Sequence, residues 1–300
     1  MGEKSNPPHF WILQVAASAI FLGRAWQHLR WDGPYRTLLW DEGLMRGLVE
    51  GLFGRTWSDY ATDPAVDQAI QAGTKTVGVF LLLCGLVVWA IPRWTRLASW
   101  IIGLGSVWLI FLSWLYFKEH FNQAGLFIEY ALQWGTPLLL LMAASRTQWT
   151  RTWRLGAALA AALTFIGHGL YAIGWYPRPG YFVQMTLSIT GWSEAHSIRF
   201  LAWAGALDFL AAMALFVPMI RVRMGGAAYM VFWGAATAIA RLWAHWIPGM
   251  ASEVLTQWLH QVIYRLPHAL VPLILFLIWY RDWRDRALQD DRLPEKERYY

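Results

Sequence analysis

Eight long apolar stretches run through this chain, at roughly 10–29, 75–96, 99–120, 125–146, 153–176, 199–221, 226–248 and 255–280. Each approaches the ~20 residues that carry a helix across a bilayer. The expected fold is therefore all-α: a polytopic integral membrane protein with eight transmembrane helices. Composition agrees, since 57% of residues are hydrophobic and 15% charged, against about a quarter charged in a soluble domain. The 22 Trp fit the same picture, because many of them, Trp31, Trp94, Trp100, Trp175, Trp246 and Trp279 included, fall near segment ends. An indole suits the headgroup layer.

Several function classes drop out at once. The single cysteine, Cys84, rules out an internal disulfide and is too few for a thiolate zinc site or an iron–sulfur cluster. The net charge of +6 does not point to nucleic acid, because its basic residues sit in short loops beside the spans, where they set topology. Phe10 to Leu22 runs into Arg24 and His28 rather than a small-residue cleavage site, so it is expected to be a retained first span.

Lys and Arg distribution gives the orientation. Arg93 and Arg96 follow the second span, Arg146, Arg151 and Arg154 the fourth, Arg221 and Arg223 the sixth, and Arg281, Arg284 and Arg286 the eighth. The opposite loops are poorer, with Lys118, then Arg178 and Arg199, then none after the seventh span. The positive-inside rule places both termini in the cytoplasm of a bacterial-type inner membrane. The tail 281–300 mixes both charges and contains Pro294; it is expected to extend the last helix and then fray.

The spans fall into two sets of four. Phe21/Phe165, Gly23/Gly167 and Trp31/Trp175 match at one constant offset, with Arg24 opposite His168. AIPRW (90–94) matches FVPMI (216–220), and IEYALQWGTPLLLL (128–141) aligns with IYRLPHALVPLILF (263–276), superposing Gln133 on His268 and Pro137 on Pro272. The expected organisation is a first four-helix repeat, 1–148, a second, 149–280, and the charged tail, related by an axis along the membrane normal. The first repeat carries a longer outer loop, 31–74. Within it, Leu44, Leu48 and Leu52 recur every four residues among Asp41, Glu42, Arg46 and Glu50, an amphipathic helix that lies on the outer face or caps the bundle. Asp63-Pro64 reads as an N-cap followed by proline at the first helical position.

On these motifs the chain resembles the DoxX-like family. AIFLGRAWQHL (19–29) and LTFIGHGLYAIG (163–174) are similar to that family's opening helix, with its apolar-Gly-x-x-x-polar pattern. The family consists of small four-span membrane proteins, so this chain would be two units fused. Some members look like membrane subunits of quinone-linked sulfur oxidation, and the resemblance implies a membrane partner of a redox enzyme. The long first outer loop departs from the family pattern.

Ionisable residues crowd into the outward halves of the spans. Arg24 and His28 share one helical face, as do Arg241 and His245. Glu119 and His120 end the third span, Glu129 and Gln133 lie in the fourth, His168 in the fifth, and Asp208 midway along the sixth. His260, Tyr264 and His268 form a stripe in the eighth, with Arg265 beside it. Each has a plainer role: arginines reach to headgroups, shallow histidines such as His28, His120, His196 and His260 meet water, and Glu129 and Asp208 pair with arginine inside the bundle. Together, on one side of the membrane, they read as a ligand-binding pocket between the repeats.

A quinone comes first as its occupant. His and Tyr bond a carbonyl, Arg or His stabilises an oxyanion, and Trp243 or Trp258 walls the ring; Glu119, Glu129 or His120 exchanges protons outward. Haem on His168, His245 or His268 comes second, then a copper-type histidine cluster. No Glu-x-x-His pair supports a di-metal carboxylate site, so no metal ligand is assigned, and no catalytic residue either. A redox-linked protein serving an extracytoplasmic partner, a transporter or lipid-binding protein, and a non-catalytic assembly scaffold all remain open. Against transport, the spans show no paired Gly/Pro breaks at the midplane.

Overall fold

The computed structural model describes residues 6–92, 94–144 and 146–290, apart from the side chains of Thr95 and Asp290. Arg93, part of the charge count above, and the end of the tail around Pro294 lie outside the described residues. Among those described, every regular element is helical. They are α1 (Phe10–Arg30), α2 (Arg36–Leu39), α3 (Glu42–Phe53), α4 (Trp57–Thr62), α5 (Pro64–Val87), α6 (Thr95–Glu119), α7 (Ala124–Glu129) and α8 (Ala131–Ala143). The second half contains α9 (Arg151–Ile173), α10 (Gly180–Thr190), α11 (Glu194–Ala214), α12 (Ile220–Trp243), α13 (Ala251–Ile263) and α14 (Pro267–Asp290).

Six helical stretches are long and apolar enough to cross a membrane: 64–90, 96–119, 124–143, 151–173, 194–214 and 251–289. Their outer faces carry apolar rows that no protein covers, such as Leu97, Trp100, Leu104 and Val107 on α6 and Trp203, Leu207, Leu210 and Met213 on α11. Rows of that size are untenable in water and fit hydrocarbon. α1 and α12 are not among the six, although they run 21 and 24 residues. They carry Arg24, and Arg221, Arg223 and Arg241.

Packing is orderly. α1 lies along α5, and α9 along α11; α6 packs on α7 and α8, α12 on α13 and α14; α1 crosses to α13 and α14, and α9 to α7 and α8. The buried core runs through α1, α8, α9 and α14, with Leu13, Ile20, Phe21, Leu132, Leu140, Ala161, Ile274 and Leu275. Ala157, Ala158, Ala160, Ala161 and Ala162 give α9 a slim face, which lets backbones approach closely where lipid supplies no hydrophobic drive. At the end opposite the polar cluster, Arg154 pairs with Asp282, and Trp149 Nε1 donates to the Pro8 carbonyl at 3.1 Å.

One span boundary needs correction. α5 begins at Pro64, well before residue 75, because the Asp63 carboxylate accepts from the Ala65 amide at 2.8 Å and caps it. Two of the apolar stretches are interrupted, though not by a Gly/Pro pair. The 124–143 stretch is interrupted at Tyr130, and 251–289 at Tyr264–Leu266. Pro267 explains the second break, since proline disfavours helix in the residue before it. Neither Gly nor Pro marks the first. There, neighbouring helices meet the freed backbone groups: Leu132 N donates to Thr164 Oγ1 of α9 at 2.9 Å, and Ser113 Oγ of α6 donates to the Phe127 carbonyl at 3.2 Å.

The amphipathic segment of the long loop is helix α3, capped by Asp41, whose side chain accepts from Leu44 N at 2.9 Å. Its Leu44, Leu48 and Leu52 stripe is exposed, with only Val49 buried. The stripe therefore does not cap the bundle. Asp41 also takes a hydrogen bond from Lys118 of α6; that ammonium, with the Leu44 amide, holds its carboxyl below the usual carboxylate range.

Candidate functional site

The site is assembled from the two interrupted helices and the helices that cross them. Gly23 of α1 rests on the second break: a Cβ there would stand 2.8 Å from Tyr264 N and 3.0 Å from the His260 carbonyl. Gly167 of α9 rests on the first break in the same way, 2.7 Å from both Glu129 N and the Gly125 carbonyl. The residue after each glycine, Arg24 or His168, is thereby placed beside the break.

Arg24 is 1% exposed. Its Nε and Nη2 both donate to Gln133 Oε1, at 3.0 and 2.6 Å, and Nη1 donates to Gln27 Oε1 at 2.7 Å and Tyr116 Oη at 3.2 Å. Three phenol rings surround it, Tyr264 at 4.0 Å, Tyr130 at 5.1 Å and Tyr116 at 5.2 Å from the guanidinium carbon. The cage substitutes π-faces and amide oxygen for a carboxylate; desolvated cation–π contacts contribute about 2 kcal/mol each.

Below it, on the α7 side, Glu129 faces His168 Nδ1 at 3.4 Å, and the His168 ring meets His268 edge-on at 5.5 Å. Neither Glu129 nor Asp208 pairs with arginine, contrary to expectation: Asp208 accepts from Tyr229 Oη at 2.9 Å. Arg265 lies over the Tyr264 ring at 4.7 Å and donates to the Gln261 carbonyl at 3.4 Å. Arg241 lies over the Tyr181 ring at 5.3 Å. Its Nε, and His268 Nε2, are buried with no hydrogen-bond partner, as is His260 Nδ1. Such orphans are uncommon in folded proteins.

A cavity of about 260 Å³ is lined by Arg241 and His268. His168, His268, Arg241 and Asp208 supply its polar wall; Phe165, Phe182, Phe200, Leu201 and Trp233 supply the rest. Its rim includes Ile189 and Thr190 of α10, both exposed. A second, almost wholly apolar cleft of about 390 Å³ lies between the long outer loop and α5 and α6.

Of the residues expected in the pocket, Arg24, Glu129, His168, Arg241, Tyr264 and His268 belong to one contiguous buried cluster, with His260 at its edge, 5.9 Å ring to ring from Tyr264. His28 is buried but turned away: Nδ1 donates to the Arg24 carbonyl at 2.6 Å, and Nε2 accepts from Tyr35 Oη at 2.8 Å, which itself accepts from Trp108 Nε1 at 3.0 Å. His245 repeats the pattern, bonded to the Arg241 carbonyl at 2.8 Å and stacked on Trp258 at 3.6 Å. Glu119 and His120 are exposed at the end of α6 and lie outside the cluster, because that helix ends where they stand. Trp243 is exposed and Trp258 is occupied by His245, so Trp233 walls the cavity instead. Tyr116, Tyr130, Tyr181 and Gln27 were missed in the sequence; only the spacing of Gln27 from Arg24, one helical turn, could have flagged one of them.

Among the described residues no group of three His, Cys, Asp or Glu side chains is arranged to hold a metal ion. Comparison with protein families, with curated proteins and with solved structures finds no match to this chain.

Proposed function

We propose that the chain is an eight-span membrane protein of two four-helix repeats which holds an amphipathic ligand, with an apolar body and an oxygen-bearing head, in the α9–α12–α14 cavity. The observation that carries this reading is a largely apolar cavity lined by Arg241 and His268, each of which buries a ring or guanidinium nitrogen with no hydrogen-bond partner. An apolar pocket with a few convergent polar atoms is what orients a small ligand. A quinone belongs to this class, its carbonyls accepting from those donors, and the DoxX-like resemblance favours it, with an extracytoplasmic redox partner on the outward side.

Eight spans rather than six follow if α1 and α12 cross as well. At 1.5 Å per residue their 21 and 24 residues reach roughly the ~30 Å needed. Arg24 and Arg241 are costly in lipid but are buried inside the bundle, where such charges are found, and Arg221 and Arg223 stand at the start of α12. The duplication is supported by the packing: α1 on α5 matches α9 on α11, α6 on α7 and α8 matches α12 on α13 and α14, each fourth span is broken, and Gly23 and Gly167 contact opposite breaks. The basic loops still argue for cytoplasmic termini.

One observation favours a second reading, a transporter for the same ligand: paired interrupted helices beside a buried site are a transporter arrangement. For the binding reading the test is direct. Extraction of the purified protein should yield an amphiphile near one per chain, and Ala236→Phe, which fills the cavity, should lose it while melting like delipidated wild type. If nothing co-purifies, and neither added quinone nor added single-chain lipid shifts the melting curve, the reading fails; a Soret band in the absorption spectrum would replace it with haem.

A further inference from the structure

The cavity's charge goes further than its shape. We infer that the head group it holds is an anion, a carboxylate or phosphate on a single chain; this rests on the ligand-binding reading above and narrows it. Three guanidinia, of Arg24, Arg241 and Arg265, are buried in one cluster, and arginine does not shed its charge in proteins. The cluster's carboxylate, Glu129, faces His168. Asp208, across the cavity, is engaged by Tyr229. Positive charge is therefore in excess, and an unbalanced buried charge is among the most costly features a protein can carry.

The excess can be localised. Arg24 is sealed by Gln133, Gln27 and three phenols. Arg265 rests on Tyr264 and a backbone carbonyl. Arg241 rests on the Tyr181 ring, its Nε has no hydrogen-bond partner, and the residue lines the cavity. A neutral carbonyl at that point would satisfy the hydrogen bond but leave the charge. An oxyanion satisfies both, and charge-assisted bonds of this kind are about twice as strong as neutral ones. His268 Nε2, beside it, supplies a second contact.

Size and exit fit one chain. About 260 Å³ falls just below the ~300 Å³ at which ligand pockets ordinarily begin, so a diacyl body does not enter. Ile189 and Thr190 form an exposed rim through which the remainder of a chain reaches the bilayer.

The experiment uses the full chain in detergent, delipidated, and compares oleate, oleyl phosphate, methyl oleate and decylubiquinone by thermal shift and by displacement of a fluorescent fatty acid. We expect oleate or oleyl phosphate, whichever head is native, to bind at least tenfold tighter than methyl oleate, the size of one charge-assisted bond at about 1.4 kcal/mol per decade. Arg241→Gln should erase that preference, and Arg241→Lys should keep most of it. The acid–ester comparison is made on the wild-type protein, so it stands even if a variant fails to fold. Binding of decylubiquinone or methyl oleate as tight as the acids overturns the anion while leaving the ligand-binding reading. Binding of none of the four overturns both.

Discussion

At the scale of single residues, the cluster shows two ways of keeping polar side chains inside an apolar bundle. Arg24 is satisfied by a cage of neutral groups. His28 sits in a directed chain instead: Trp108 Nε1 to Tyr35 Oη, Tyr35 Oη to His28 Nε2, and His28 Nδ1 to the Arg24 carbonyl. That chain fixes the imidazole tautomer and pins the long outer loop to α1 and α6. Removing the middle hydroxyl by Tyr35→Phe leaves a buried indole N–H and an imidazole nitrogen unpartnered, which costs about 1–3 kcal/mol. Denaturation in detergent should register it as a lower midpoint with unchanged cooperativity; an unshifted midpoint would mean that the chain contributes nothing to stability. The pairs Arg24/His28 and Arg241/His245 were legible from their spacing, since i,i+4 residues share a face. Tyr35 was not: it follows Gly33-Pro34 in a loop, and nothing local announces that its ring turns inward.

At the scale of elements, the site depends on two interrupted helices and the glycines that lie against them. The interruption before Pro267 had a signal in the sequence. The one at Tyr130 is set by packing, with Gly167 against Glu129 N and Thr164 meeting Leu132 N, and no local propensity shows it. A methyl group at Gly23 or Gly167 would press on backbone, not on a side chain that can swing away. Gly23→Ala and Gly167→Ala should each destabilise by about 1–3 kcal/mol, the usual cost of overpacking. Gly51→Ala on α3, where nothing lies within 4 Å, should stabilise by up to ~1 kcal/mol through helix propensity. Equal melting temperatures for all three variants would show that the glycine contacts do not hold the breaks in place. The exposed leucine stripe of α3 was legible as an amphipathic helix, but its periodicity could not say which way the apolar face turns.

At the scale of the whole molecule, the all-helical membrane fold was legible because apolar runs of this length have one common solution in lipid. That Arg24, Glu129, His168, Arg241 and His268 come from spans of both halves was legible too. What sequence could not give was their sorting. Glu119 and His120 lie near the cluster in sequence pattern yet are exposed, whereas Tyr116, one turn earlier on α6, is part of it. Arg24 on α1, and Arg221, Arg223 and Arg241 on α12, interrupt otherwise apolar helices, and neither helix is among the plainly apolar spans. The central claim is that helices from both halves enclose one buried cationic cluster and that an amphiphile fills the cavity beside it. Cryo-electron microscopy of the protein in nanodiscs tests it most directly. The account predicts α1 and α12 within the bilayer and elongated density running from Arg241 and His268 past Trp233 to the Ile189–Thr190 rim. An empty or collapsed cavity, or Arg241 turned out to the headgroups, would contradict it.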